Sequence, residues 1–391
     1  MKTRVYLLLF PLLLMLFISS CTVYTYRSIV YNVPGINDYK ILPTRAVKHS
    51  GTPKKLSAAC DYNTCTLPDT LQDLLTQTKT VAFLVMRRDS VVYEWYKDGY
   101  SDSSTTNPFS VTKSIVGVLT GIALKEGKIK SLDEPIYTYY PEFKGRGRDS
   151  ITFRHLLTMT SGLNYHDQYI NPFGPLARLY YGRNVKKQMN HSKRELSPGT
   201  QWRYKNSDPQ VLTLALENAV GMNMSDYATE KLWKPIGAEH DALWIVDKKN
   251  EGTEKSYCCL HTNAHDLAKV AMLYKYQGNV DGVQIVDTSY IKESLTPVNV
   301  MSDKGKLQNR YGYLWWLNNV DGIGDFSMEG LSGQYVAVIP SQDLVFVRLG
   351  EKDFIKPGTR FSGCQLYRRV LRSVVAKWGT NPNYVRAEGE K

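Results

Sequence analysis

Phe109-Ser110-Val111-Thr112-Lys113-Ser114 runs directly into Ile115-Val116-Gly117-Val118-Leu119-Thr120-Gly121-Ile122-Ala123-Leu124. The second part is small and apolar on every side, the pattern of a helix buried all round at the centre of a fold. Charges return only at Lys125-Glu126-Gly127-Lys128, where the glycine is a stop signal. At the helix start, Ser110 and Lys113 are three residues apart and share one face. Ser110 also lies in the positive field of the helix dipole. Serine is a weak nucleophile until a base takes its proton, and a lysine desolvated in a pocket can be that base. The same spacing recurs at Ser289-Tyr290-Ile291-Lys292, where it reads as an ordinary solvated helix.

Working outward, Thr80 to Met86 and Val91 to Tyr96 are β-branched and aromatic runs split by Arg87-Arg88-Asp89-Ser90, a hairpin signal. Gln334 to Pro340 and Leu344 to Leu349 form a second strand pair around Ser341-Gln342-Asp343. Helices are expected over residues 153 to 160 with Thr152 as cap, over 207 to 220, over 225 to 232 capped by Ser225, over 262 to 274 with Asn263 as cap, and over 365 to 378. Pro135 to Pro141 reads as extended. Residues 161 to about 193 read as a loop-rich lid, rich in tyrosine, asparagine and glycine. Strands at both ends with helices between them predict an α/β (α+β) fold. One antiparallel sheet carries both hairpins and is flanked by helices, and a helical subdomain is inserted at about 151–235.

Before this body, Lys2 and Arg4 precede an apolar run from Val5 to Phe17, and Ile18-Ser19-Ser20 precedes Cys21. The segment resembles a bacterial lipoprotein signal, which implies cleavage before Cys21 and lipidation of its thiol. The expected organisation is a signal peptide at 1–20, a tether and N-terminal arm at 21–67, the main domain at 68–378 and a polar tail at 379–391. The formal net charge of +12 is scattered, with no basic run interleaved with aromatics. Nucleic acid is therefore a poor partner, and an anionic surface is the simpler reason for the charge. Six cysteines are present. Cys60 and Cys65 are near enough in sequence to bridge, but pairing stays open. Beyond Cys60 and Cys65, no second Cys or His pair is read at ligand spacing, so neither a metal nor another cofactor is expected.

Several stretches taken in order resemble the serine β-lactamase and DD-peptidase superfamily, in its class C-like branch with esterases and 6-aminohexanoate-dimer hydrolases. They are Phe109 to Ser114, His155-Leu-Leu-Thr-Met-Thr-Ser-Gly-Leu163, Tyr204-Lys205-Asn206, Asp266-Leu-Ala, Tyr311-Gly-Tyr-Leu-Trp-Trp316 and Gly330-Leu-Ser-Gly-Gln-Tyr335. The resemblance covers roughly residues 80 to 378 and implies a β-lactamase/transpeptidase-like fold. It implies Ser110 as nucleophile, Lys113 and Tyr204 as proton carriers, and Asn206 as a partner of Lys113 and of the acyl side chain. The oxyanion hole would be the backbone N–H groups of Ser110 and Gln334, the latter on an edge strand. Ser332 and Gly333 belong to the third motif. Tyr169 is a lid residue able to touch substrate, and His261 falls where a site-lining residue often stands.

Two departures matter. Cys258-Cys259 replace a glycine pair. Leu331-Ser332-Gly333 replaces Lys-Thr-Gly, so the cation that would bind a substrate carboxylate is missing. This favours a neutral ester or amide. The expectation is an enzyme of the bacterial cell envelope, lipid-anchored to a membrane, that acts on a small-molecule or peptide-like substrate. The alternatives are a penicillin-binding or β-lactamase-like enzyme on peptidoglycan, and a catalytically silent binding lipoprotein.

Overall fold

A computed structural model of the chain describes residues 23–169, 171–318, 324–354 and 363–375. The expected signal at 1–20, the lipidation site Cys21 and the tail at 379–391 lie outside the described residues. Seven strands form the main sheet: β1 (Ser57–Ala58), β2 (Thr80–Arg87), β3 (Ser90–Tyr96), β4 (Trp316–Asn318), β5 (Asp325–Gly330), β6 (Gln334–Ile339) and β7 (Leu344–Gly350). Their spatial order is β4-β5-β6-β7-β2-β3-β1. Every pairing is antiparallel except β1 with β3. The two hairpins from opposite ends of the chain thus meet, with Phe346 of β7 opposite Val85 of β2.

The near-continuous apolar run of β2 is explained by cover on both faces. Phe83 and Val85 face one core with Ala337, Phe346, Leu71, Leu74 and Tyr367. Ala82, Leu84 and Met86 face the other with Val336, Val347 and the Ser110 helix (Val111–Lys125). This is the period-2 alternation of a strand applied to a sheet between two helical layers. The Ser110 helix is buried from Val111 to Ala123. Its glycines allow close approach: a Cβ on Gly121 would lie 2.5 Å from the Tyr290 ring, and one on Gly117 would lie 3.0 Å from the Tyr313 carbonyl. The second Ser-x-x-Lys sits on a short helix, Thr288–Ser294, with Ser289 and Lys292 exposed.

Helix starts largely follow their caps. Thr152 forms a capping box with His155, and the Asn263 side chain accepts from Asp266 N at 2.9 Å. Helices Ser207–Val220, Ala264–Lys275 and Gly363–Val375 stand close to their expected positions. One cap moves. Asn223, not Ser225, caps Met224–Ala228, because Ser225 turns inward and donates both N and Oγ to Glu254 Oε1.

Three segments are more ordered than their composition suggests. Pro135 to Pro141 closes into 3-10 turns at Ile136–Thr138 and Pro141–Phe143. The N-terminal arm holds a helix, Val23–Tyr31, and a strand, Thr44–Val47, which pairs with Ala242–Ile245 in a small sheet completed by Leu260–His261. The lid contains helices Pro175–Tyr181 and Val185–Asn190. These helices are too short to show a helical period, so only punctuation marks the first of them: Pro175 at its first turn and Gly182 after its end.

Candidate active site

The site forms where the Ser110 helix begins, under the lid. Phe109 has φ +47°, an unfavourable backbone for a bulky residue that costs about 1–3 kcal/mol. The Asn107 side chain holds it by accepting from Phe109 N at 2.9 Å. This sharp turn leaves Ser110 at the N-cap of the helix. The Lys113 ammonium, fully buried, donates to Ser110 Oγ at 2.8 Å and to the Tyr257 carbonyl at 2.5 Å. Burial without a full countercharge drives its pKa down to about 7, and the nearby Asp167 carboxylate opposes that fall.

Tyr204 approaches from the other side. Its hydroxyl hydrogen-bonds Ser110, and its ring centroid lies 5.0 Å from Lys113 Nζ. Burial raises its pKa far above the usual phenol value, and the bond to Ser110 opposes this only partly. The ring is fixed by the aromatic segment noted in the sequence. Trp316 stacks on it at 5.6 Å, and Tyr311 meets it edge-on at 6.0 Å. Ser114 ties the same segment to the helix through a 2.6 Å bond to the Leu314 carbonyl.

Asn206 is at the site, but its partners differ from those expected. Its backbone N donates to Asp167 Oδ2 at 2.9 Å, and its side chain bonds Asp167 and Tyr169. Gln334 opens β6, which is an inner strand between β5 and β7 rather than an edge. Its side chain donates to the Leu331 and Gly350 carbonyls at 3.0 and 2.6 Å. Ser332 has φ +62° and Gly333 φ +76°. Ser332 borders a neighbouring cavity of roughly 460 Å³ rather than that of Ser110. Tyr169 is 60% exposed and stands at the rim of the Ser110 cavity.

His261 is displaced from its expected role. It lies in the small sheet opposite Leu243, fully buried, with its ring edge-on to Tyr39 at 5.4 Å. It does not line the Ser110 cavity. Burial brings its pKa down to about 4, so it is neutral.

The cavity over Ser110 measures about 570 Å³, within the range of a small-molecule site. Its wall is aromatic, with Tyr180, Tyr181, Tyr204, Tyr257, Tyr335 and Trp316. Leu331, Glu329 and Asp353 line the cavity as well, with no cationic side chain among the described lining residues. Arg348 is buried nearby but offers nothing to a ligand. Its donors go to Thr80 Oγ1 and to the Ser332, Gly333, Thr78 and Lys352 carbonyls. Among the described residues there is no cluster suited to a metal.

Two contributors, Tyr257 and Asp167, were not singled out from the sequence. Tyr257 acts through its carbonyl, which any residue type could supply. Cys258 lines the cavity and is bonded to Cys259, with Cα atoms 3.7 Å apart, and Cys259 takes φ +83° where glycine would be unstrained. Cys60 and Cys65, the pair considered for a bridge, are free thiols. Asp167 carried a legible signal: it is the one acidic residue between Asp149 and Glu195. Its Oδ1 is sequestered from solvent without a hydrogen-bond partner, and burial raises its pKa while Lys113 lowers it.

The family model described as Beta-lactamase matches residues 67–357. The 6-aminohexanoate-dimer hydrolase of Paenarthrobacter ureafaciens is 26% identical over 328 residues, covering 79% of this chain and 82% of its own. A Bacillus anthracis structure with the same designation, given provisionally, superposes with a TM-score of 0.70 at 20% identity, covering 88% of this chain and 92% of its own. A family VIII carboxylesterase structure gives a TM-score of 0.60 at 16% identity, covering 82% and 99%. The structural likenesses, at these identities, speak for the fold.

Proposed function

Since the chain belongs to the Beta-lactamase family, we propose that this serine hydrolase cleaves neutral esters or amides through an acyl-enzyme on Ser110. The observation that carries the reading is the 2.8 Å bond between Lys113 Nζ and Ser110 Oγ, made by a lysine whose pKa lies near neutrality. A neutral amine there can take the serine proton as Oγ attacks the carbonyl. Tyr204 remains a phenol at neutral pH. It relays a proton to the leaving group and does not start the reaction as a base. Water then hydrolyses the acyl-enzyme by the same route in reverse. The backbone N–H groups of Ser110 and Gln334 are assigned to the developing oxyanion, where each such donor contributes about 2.7–4 kcal/mol.

Substrate charge follows from the wall. Leu331 has no cation, the Arg348 donors are all occupied, and Glu329 and Asp353 repel an anion. A β-lactam or peptidoglycan carboxylate would lose a charge-assisted bond worth about 1.5–3 kcal/mol. The ester and amide hydrolases among the relatives fit this wall better than a penicillin-binding role. A silent binding protein would have no use for Ser110, Lys113 and Tyr204 in mutual reach. Export and lipid attachment at Cys21 belong to the same proposal, on the basic start, the apolar run Val5 to Phe17 and Ile18-Ser19-Ser20-Cys21.

A fluorophosphonate probe and a penicillin probe, read by mass spectrometry, test the chemistry. Labelling of Ser110 by the fluorophosphonate alone is expected. Labelling by both moves the enzyme to the penicillin-binding class, and no labelling by either ends the hydrolase reading. Cys21→Ser tests the anchor: it should yield an unprocessed or unlipidated chain.

A further inference from the structure

The rim of the Ser110 cavity differs from its floor. The helix Val23–Tyr31 turns one face to the lid helix Pro175–Tyr181. Arg27 Nη1 donates to the Tyr181 carbonyl at 3.2 Å, Arg178 sits 5.2 Å from the Tyr24 ring, and Tyr31 meets Tyr181 at 6.3 Å. The opposite face is apolar and uncovered. Tyr26, Ile29 and Val30 are 55%, 60% and 52% exposed, and Val33 just beyond the helix is 68% exposed. At 3.6 residues per turn, positions 26, 29 and 30 share one face of the helix, and the exposed Val33 follows the turn at Asn32 that ends it. Phe173 on the lid adds a further exposed ring at 53%. Large apolar side chains exposed together mark a contact surface.

This surface belongs to the cavity. Val33 and Tyr169 both line it and are exposed, so they stand at its rim, and Leu176 and Tyr180 of the lid helix form the wall below. The charge at the rim has one sign. Residues 22–37 and 168–188 contain Arg27, Arg178, Arg183, Lys186 and Lys187, and no Asp or Glu. The carboxylates of the cavity, Glu329 and Asp353, come from the sheet side instead. The apolar helix also begins at Val23, two residues after Cys21 and the apolar leader. An apolar stripe flanked by cations, adjoining a segment suited to lipid, has the chemistry of an anionic bilayer surface.

We propose that the helix Val23–Tyr31 and the lid residues around Phe173 form a collar that seats on an anionic lipid bilayer. The collar aims the Ser110 cavity at the membrane and feeds it esters or amides that carry an aliphatic chain. The substrate half rests on the hydrolase reading above, whereas the docking half does not. A water-soluble substrate would have to pass between collar and lipid, but a chain-bearing one would move from the bilayer directly onto the aromatic lid side of the cavity, away from Glu329 and Asp353.

The test uses the full chain in vesicles of brominated phosphatidylcholine and phosphatidylglycerol, whose bromines quench nearby tryptophan. Tyr26→Trp and Phe173→Trp should each add fluorescence that the bromolipid quenches. Val283→Trp should add fluorescence that it does not quench, because Val283 is equally exposed but lies beside Gln284, which Lys125 touches from the far end of the Ser110 helix. Equal quenching at all three positions, or none, overturns the collar. A second copy of the chain as the true occupant would shield the indoles at 26 and 173 from iodide without vesicles, and this outcome also overturns it. The double variant Ile29→Ser with Val30→Ser then reads the substrate. Hydrolysis of vesicle-borne p-nitrophenyl myristate should fall about tenfold while hydrolysis of p-nitrophenyl acetate holds. Equal rates on myristate, or equal losses on both esters, would overturn the feeding role. Ser110→Ala keeps the two readings apart, since it abolishes hydrolysis of both esters and leaves the quenching pattern intact.

Discussion

Two lysines, Lys113 and Lys255, are buried, and burial brings both down to about pKa 7. Lys113 meets a hydroxyl, Ser110 Oγ, as well as the Tyr257 carbonyl. Lys255 donates instead to carbonyls, those of Tyr180 and Gly182. It pins the end of the lid helix to the segment that carries Tyr257. The desolvation is the same and the use is different. A lowered pKa makes a lysine available as a base, but only a neighbouring acidic proton gives it something to take.

The strongest way to break this comparison is to remove the proton. Ser110→Ala should reduce kcat/KM for the best ester by about 10⁴-fold or more and abolish fluorophosphonate labelling. Survival of the parent rate would falsify the assignment of the nucleophile. Next, the same substitution at both lysines separates base from pin. Lys113→Met should lower kcat/KM by about 10²–10⁴-fold. Lys255→Met leaves two carbonyls unpaired, so it should cost about 1–3 kcal/mol of stability, seen as a lower melting temperature with kcat near that of the parent. Similar kinetic losses in both variants would dissolve the contrast.

Tyr204→Phe removes the relay and not the base. It should cost about 10²–10³-fold in kcat/KM, least for esters with good leaving groups such as p-nitrophenol. An equal loss for aryl and alkyl esters would assign Tyr204 a role before leaving-group departure. These losses should not add, because the three groups act as a unit.

The smallest expected effect is a shift along the pH axis. Lys113 serves as base when neutral, so kcat/KM should rise as pH increases through about 7. The negative charge of Asp167 favours the ammonium form. Asp167→Asn should therefore lower the Lys113 pKa further and move the rising limb to lower pH, while Lys255→Met leaves the limb in place. A limb that moves to higher pH, or does not move, would remove Asp167 from the electrostatics of the base.

How much of this was legible differs by residue. The Ser110–Lys113 pair, the two hairpins and the caps at Thr152 and Asn263 could be read because each depends on neighbours three or fewer residues apart or on a period of two. The lid and arm helices could not, since a helix of seven or nine residues, Pro175–Tyr181 or Val23–Tyr31, is held by what it packs against more than by its own propensity. His261 shows the opposite error. Its place in the order of motifs suggested the site, but pairing with Leu243 turns it into the core.

The sequence by itself determined that Ser110 and Lys113 stand together, because one helical turn sets their distance whatever surrounds them. It also carried the expectation that the end hairpins meet in one antiparallel sheet, and the pairing of β7 with β2 shows them doing so. The tertiary structure decided everything that depends on burial and on backbone from distant segments. It lowered the pKa of Lys113, kept Tyr204 protonated and brought the Tyr257 carbonyl and Asp167 to the ammonium. It moved Gln334 to an inner strand and placed the exposed Val33 and Tyr169 at the rim of the cavity. Those properties arise from desolvation and from contacts across more than a hundred residues, as between Lys113 and Tyr257, and no local pattern encodes either.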